Sequence, residues 1–249
     1  MRPMTQKLDV GGVISRVFSL YTQHLATLLG VGAIIFIPFG IVEGILTHSD
    51  GFILRILGTL VGLVGTFLFI GAVVRLVQDV RDGRLDASIG QLISSITPVL
   101  VTLIVVGVLS SFAEGIGFIL CIVPGVFLVT AWAVLSPVIV VENAGIGEAW
   151  GRSWTLVKGN FWQVLGVIIL FFVIEMVAGI ILALILLAIS NAVVLAIIAA
   201  ILARLLLAPL QALAASVIYF DLIDLQGQPA AAVADPPLPP PPPPPAPAV

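Results

Sequence analysis

The sequence predicts an all-α polytopic integral membrane protein with about six transmembrane helices in three hairpins and amphipathic interfacial helices between them. Three observations predict it. Hydrophobic residues make up 60% of the chain and charged residues 9%, with mean hydropathy +1.26, whereas soluble domains carry roughly 25% charged residues. Six apolar stretches approach the ~20 residues of a bilayer crossing. A short Arg-bearing segment recurs along the chain with its apolar residues at helical spacing. A soluble core of this length cannot hide so much apolar surface, whereas a bilayer solvates it.

The apolar stretches fall at about 25–47, 52–77, 97–123, 125–141, 161–189 and 192–222. The first is too long for a signal-peptide core and lacks a small-x-small cleavage site, so a cleaved signal peptide is not expected. The turns at "HSDG" (48–51), "PG" (124–125) and "SN" (190–191) are very short, while 78–91 and 142–160 are longer and charged. Eight of the ten Lys and Arg residues, all except Arg55 and Arg204, lie at the N-terminus or beside those two long connections. Both sets fall on one side of a six-helix zigzag, and the positive-inside rule makes that side cytoplasmic. Both termini are then inside, as expected for a multipass protein of the bacterial inner membrane.

The stretch "EAWGRSWTLVKGN" (148–160) gathers two Trp, an Arg, a Lys and a Glu within very apolar surroundings. At 100° per residue, Trp150, Ser153, Trp154, Val157 and Phe161 share one face, with Glu148, Arg152 and Thr155 opposite. Such a helix lies in the cytoplasmic interface, with Trp150 and Trp154 at headgroup depth and Arg152 and Lys158 as polar anchors. The alternative is a hydrophilic loop holding two stray Trp residues.

Residues 14–31 align without a gap on 150–167. Arg16 meets Arg152, and Leu29-Gly30-Val31 meets Leu165-Gly166-Val167; a weaker third copy runs through 87–108. This predicts one unit, an interfacial helix followed by a hairpin, used three times. Residues 1–227 form the membrane domain. The tail 228–249 is dominated by proline and is expected to be a cytoplasmic polyproline II segment, either a docking site for a cytoplasmic protein or a passive spacer.

Residues able to carry chemistry are few. His24 and His48 have no carboxylate or thiol at ligand spacing, the lone Cys121 leaves no intrachain disulfide, and no GxSxG, Walker loop or HExxH occurs. No catalytic residue, metal or cofactor is expected, and no nucleic-acid partner. The lipid bilayer is the expected partner, and the oligomeric state is left open. Gly40-xxx-Gly44 and Gly58-xxx-Gly62 read as close helix packing.

Charges inside the spans are costly, roughly 2.5–3.5 kcal/mol each on insertion scales, so partners are expected. Depth counted from the turns pairs Glu43 with Arg55 near the outer surface. It gathers Glu114, Glu175 and Arg204 near mid-membrane, within about 5 Å at 1.5 Å per residue. That cluster is either a packing lock or the polar route of a small transporter or lipid-handling protein. Pro137 and Pro209 are candidate kinks.

The segments "CIVPGVFLVTAWAVLSPVIVVEN", "GEAWGRSWTLVKGNFWQVLGV" and "SVIYFDLI" together resemble the membrane domain of some bacterial glycerophosphodiester phosphodiesterases and their stand-alone relatives of unknown function. The likeness covers about residues 8–225. It is carried by Ile122-Val123-Pro124-Gly125, Trp132, Pro137, Val141-Glu142, Arg152-Ser153 and Tyr219-Phe220-Asp221-Leu222; Ile223 stands where that family usually has Arg. In those enzymes catalysis belongs to a separate soluble domain, so the resemblance implies a non-catalytic multipass module. The function expected is therefore an interaction, scaffold or accessory role, with the small transporter as the alternative.

Overall fold

The structure, a computed structural model, describes residues 7–83, 89–189 and 193–227, with the backbone alone for residues 89, 183, 185–189 and 193–200. The connection through Arg84, the 190–191 turn and the proline-rich tail lie outside the described residues. Among the described residues every regular element is helical. A short helix followed by a hairpin occurs three times. The first unit is α1 (Val10–Gln23), α2 (Leu25–Thr47) and α3 (Phe52–Arg81); the second is α4 (Ile89–Ile96), α5 (Leu100–Leu120), α6 (Ile122–Ala131) and α7 (Leu135–Glu142); the third is α8 (Ile146–Val157), α9 (Phe161–Ile189) and α10 (Val193–Leu225). Among the described residues six helical segments are long and apolar enough to cross a membrane: Leu25–Thr47, Phe52–Arg81, Gly90–Leu120, Ile122–Glu142, Ile146–Leu182 and Ile201–Leu225.

The contacts between units follow a cycle. The second arm of each hairpin packs on the first arm of the next unit: α3 on α5, α6 on α9, and α10 back on α2. The second arms also meet one another, with α3, α7 and α10 in mutual contact. Each short helix leans on the preceding second arm: α4 on α3, α8 on α7, and α1 on α10. A unit that cannot bury its apolar face alone thus finds cover in its neighbours, as repeat architectures do.

The fourth span is two helices rather than one. Pro137 lacks an N–H and its ring would clash with the carbonyl four residues back, at Ala133. The chain accordingly leaves the helix over residues 132–134, and the Leu135 amide donates to the Trp132 carbonyl at 3.1 Å. At the far end of α7, Asn143 adopts φ 53°, a left-handed turn that Asn tolerates better than most side chains. That turn ends α7 at Glu142 and sends α8 back alongside it.

Burial is uneven along the bundle. At the end carrying α1, α4 and α8, the interior is filled by Phe69, Leu92, Leu103, Ile139, Leu156, Leu213 and Tyr219, all fully buried. At the turn end Phe52 is 76% exposed, Ile119 85% and Ile122 71%, so apolar surface there is left bare by the described residues. Small residues bring α2 and α3 together: a Cβ on Gly58, Gly62 or Gly65 would strike Leu46 and Thr47, Glu43 or Phe39 respectively. The close packing expected of Gly58 and Gly62 is therefore real, and Gly62 has the further task of leaving room for a carboxylate.

Candidate functional site

Among the described residues, polar side chains tie the helices together at nodes, three of which carry ion pairs. The first joins α7, α8 and α10. Arg152 Nε donates to both Glu142 oxygens, at 3.1 and 2.8 Å, and the Tyr219 hydroxyl donates to Glu142 Oε1 at 2.9 Å. Tyr219 is fully buried, so its hydroxyl would be costly without this acceptor. Two neighbours reinforce the node. The helix break leaves the Ala131 carbonyl without its usual amide, and Ser153 Oγ donates to it at 2.9 Å. Trp150 Nε1 donates to Ser110 Oγ of α5 at 2.8 Å, with its ring 6.2 Å from Trp132.

The second node lies where α1, α3 and α10 meet. Arg16 pairs with Asp221, and Arg81 pairs with Asp224 while its guanidinium sits 4.8 Å from the centre of the Phe220 ring. These groups line a cavity of about 510 Å³. The third node joins α2 and α10. Arg204 donates through both terminal nitrogens to Glu43, Nη2 reaching Oε1 at 2.8 Å. The Glu43 carboxylate occupies the space that a Cβ on Gly62 would fill. A second cavity, about 580 Å³ and almost wholly apolar, lies between α5, α6, α9 and α10 and includes Thr130 and Gln211.

These pairings correct two of the sequence expectations. Arg204 does not join Glu114 and Glu175, and Arg55 is not the partner of Glu43; Arg55 Nε donates instead to the Ser49 carbonyl at 2.9 Å. Equal depth within one hairpin does not set which way two side chains face, and counting from the turns hides a pairing between hairpins that differ in reach. Glu43 lies four residues from the end of α2, but Arg204 lies eleven residues into α10, a difference near 10 Å at 1.5 Å per residue. Among the described residues Glu114 forms no ion pair, and Glu175 Oε1 is buried without a hydrogen-bond partner.

The wheel at 148–160 is also rotated from its expected setting. The buried face is Ala149, Ser153, Leu156 and Val157, because α8 packs on protein over its own length. Trp150 is half-buried and engaged inside, and Arg152 turns inward to Glu142 rather than outward as an interfacial anchor. Trp154 is 38% exposed and Lys158 is exposed. The residues that sequence reasoning passed over as a site are Glu142, Tyr219, Asp221 and Asp224. Their signal was present in the Arg16–Arg152 match, since both arginines pair with an acid near the end of another unit's second arm.

The geometry separates three of the four Trp side chains by fluorescence. In single-Trp variants, Trp162, 76% exposed, should be strongly quenched by lipids carrying a quencher, Trp154 less, and Trp150 least. Quenching of Trp150 as strong as that of Trp162 would contradict the inward packing of α8.

Comparison with known proteins identifies the family. Residues 15–218 match the uncharacterised protein family UPF0259. A UPF0259 membrane protein of Pectobacterium carotovorum subsp. carotovorum (strain PC1) is 39% identical over 104 residues, which is 41% of this chain and 41% of the relative. The aligned region thus spans less than half of that relative's length. No solved structure matches. The resemblance to phosphodiesterase membrane domains is thereby overturned. Several of the residues that carried it, Trp132, Glu142, Arg152, Ser153 and Tyr219, do structural work at the first node, and nothing in the comparisons ties them to a phosphodiesterase. This chain, a helical membrane protein with six apolar spans, belongs to the uncharacterised UPF0259 family.

Proposed function

We propose that the protein is a non-catalytic accessory module of the bacterial inner membrane, holding other membrane or envelope proteins rather than moving a solute. The observation that supports this most is the fate of the intramembrane cation. Arg204 is spent on Glu43, across α2 and α10, and neither cavity described above is lined by Glu43, Glu114, Glu175 or Arg204. A charge pair locking two helices over a glycine is a packing device. The exposed apolar turn end offers surface to lipid or to another membrane protein, and the proline-rich tail offers a second contact on the cytoplasmic side. The transporter reading keeps one observation in its favour, the unpartnered buried oxygen of Glu175.

The Lys and Arg bias supports a cytoplasmic location for α1, α4, α8 and both termini. In a Cys121→Ser background, single cysteines replacing Ser49 or Ser190 should label from outside intact cells. Those replacing Ser88 or Ala230 should label only after permeabilisation. Outside labelling at Ala230 would reverse the orientation.

The Glu43–Arg204 pair separates the two readings. Breaking a buried pair by removing one member costs about 3–5 kcal/mol, while apolar replacement of both is often nearly neutral. Glu43→Gln or Arg204→Leu should therefore lower the melting temperature in detergent, and Glu43→Leu with Arg204→Leu should recover most of it. A stable double variant that fully complements a deletion supports the accessory module. A stable double variant that fails to complement overturns it in favour of transport.

A further inference from the structure

We propose that the cavity between α1, α3 and α10 binds a zwitterionic phosphoethanolamine group, the headgroup of a phospholipid. The proposal goes beyond the accessory reading and does not depend on it. The cavity, about 510 Å³, is lined by Arg16, Ser19, Arg81, Phe220, Asp221 and Asp224, with Val77 and Val217 among its apolar walls. Arg81 is the last residue of α3 and Asp224 the last but one of α10, and both helices end apolar spans. The charged lining therefore sits at the end of the spans, where lipid headgroups lie.

The charges are balanced, two guanidinium groups against two carboxylates. A simple anion would strand the carboxylates and a simple cation would strand the arginines. A ligand carrying one phosphate and one primary ammonium can exchange partners without changing the total. Its phosphate takes the planar forks of Arg16 and Arg81, a geometry guanidinium suits. Its ammonium, with three N–H donors, takes Asp221 and Asp224, three residues apart on one helix face. The Phe220 ring under Arg81 limits the freedom of that guanidinium before a ligand arrives. Leu20, Val77, Val80 and Val217 give the cavity apolar walls beside the charged groups.

The comparison with the first node strengthens this. There, too, an arginine on a short helix pairs with an acid near the end of a second arm, but Tyr219 closes the contact and is fully buried. At α1 and α10 the corresponding pair borders open volume, and Arg16 is 52% exposed.

The test uses the full chain purified in mild detergent and offered equal amounts of phosphatidylethanolamine, phosphatidylcholine and phosphatidylglycerol, with retained lipid read by native mass spectrometry. Phosphatidylcholine keeps the phosphate but has no N–H donor, and phosphatidylglycerol lacks the amine. Phosphatidylethanolamine should be retained about tenfold over either, the equivalent of about 1.4 kcal/mol. Asp224→Asn, at a side chain 58% exposed, should reduce that preference while leaving the melting temperature nearly unchanged. Soluble glycerophosphoethanolamine distinguishes the sources of the headgroup. If it displaces the lipid, the headgroup alone is the ligand; if it fails while the lipid preference holds, the ligand is the whole lipid. Equal retention of the three lipids, or tightest retention of phosphatidylglycerol, overturns the proposal whether or not the variant folds. A preference unchanged in a folded Asp224→Asn protein overturns it as well.

Discussion

The contact between Arg152 and Glu142 is the constraint around which the packed half of this protein is arranged. A guanidinium and a carboxylate near the end of an apolar span are expensive apart, and their attraction grows as water is excluded. To bring them together, α7 must stop at Glu142, the chain must reverse through left-handed Asn143, and α8 must lie against α7 with Arg152 turned inward. Once α8 is held, its other side chains fall into place. Ser153 satisfies the carbonyl orphaned by the break before Pro137, Trp150 reaches Ser110 on α5, and Tyr219 of α10 donates a further hydrogen bond to Glu142. Helices from two units are thus joined by a handful of directional bonds, where apolar packing alone specifies register poorly in a bilayer.

The same device recurs where the cycle of units closes. Arg16 on α1 reaches Asp221 on α10, joining the first unit to the last. The middle unit departs from the pattern in that α4 contains neither Lys nor Arg; its Ile96 packs against Gly71 of α3. The Arg16–Asp221, Arg81–Asp224 and Arg152–Glu142 pairs lie at one end, Glu43–Arg204 lies in the other half, and the turn ends of the hairpins present bare Phe, Ile and Val side chains. One half of the bundle is closed by its own buried side chains, and the other leaves apolar side chains bare.

Much of this could be read from the sequence, for identifiable reasons. Span number and placement follow from composition, because a bilayer selects long apolar runs whatever their detailed packing. The three-unit plan followed from aligning Arg16 with Arg152. The charge pairings did not follow, because equal depth within a hairpin does not set which way two side chains face, and between hairpins α10 extends well past α2 before reaching Arg204. The face of α8 did not follow either. A helical wheel gives the period of apolar residues but cannot tell a face turned to lipid from one turned to protein, and here Ala149 and Ser153 line the buried side. Residues such as Glu142 and Tyr219 looked like marks of a family, and the structure gives them a local, structural reason.

The central claim is that Arg152 and Glu142 act as one unit, and a double-mutant cycle tests it most directly. Unfolding free energies of the wild type, Glu142→Gln, Arg152→Gln and the double variant, measured by reversible denaturation in mixed micelles, give the coupling between the two positions. The account predicts that each single change costs nearly as much as both together, with a coupling of about 2–3 kcal/mol, the upper end for residues in contact. Additive losses, agreeing within about 0.5 kcal/mol, would contradict it and leave the pair a bystander to apolar packing.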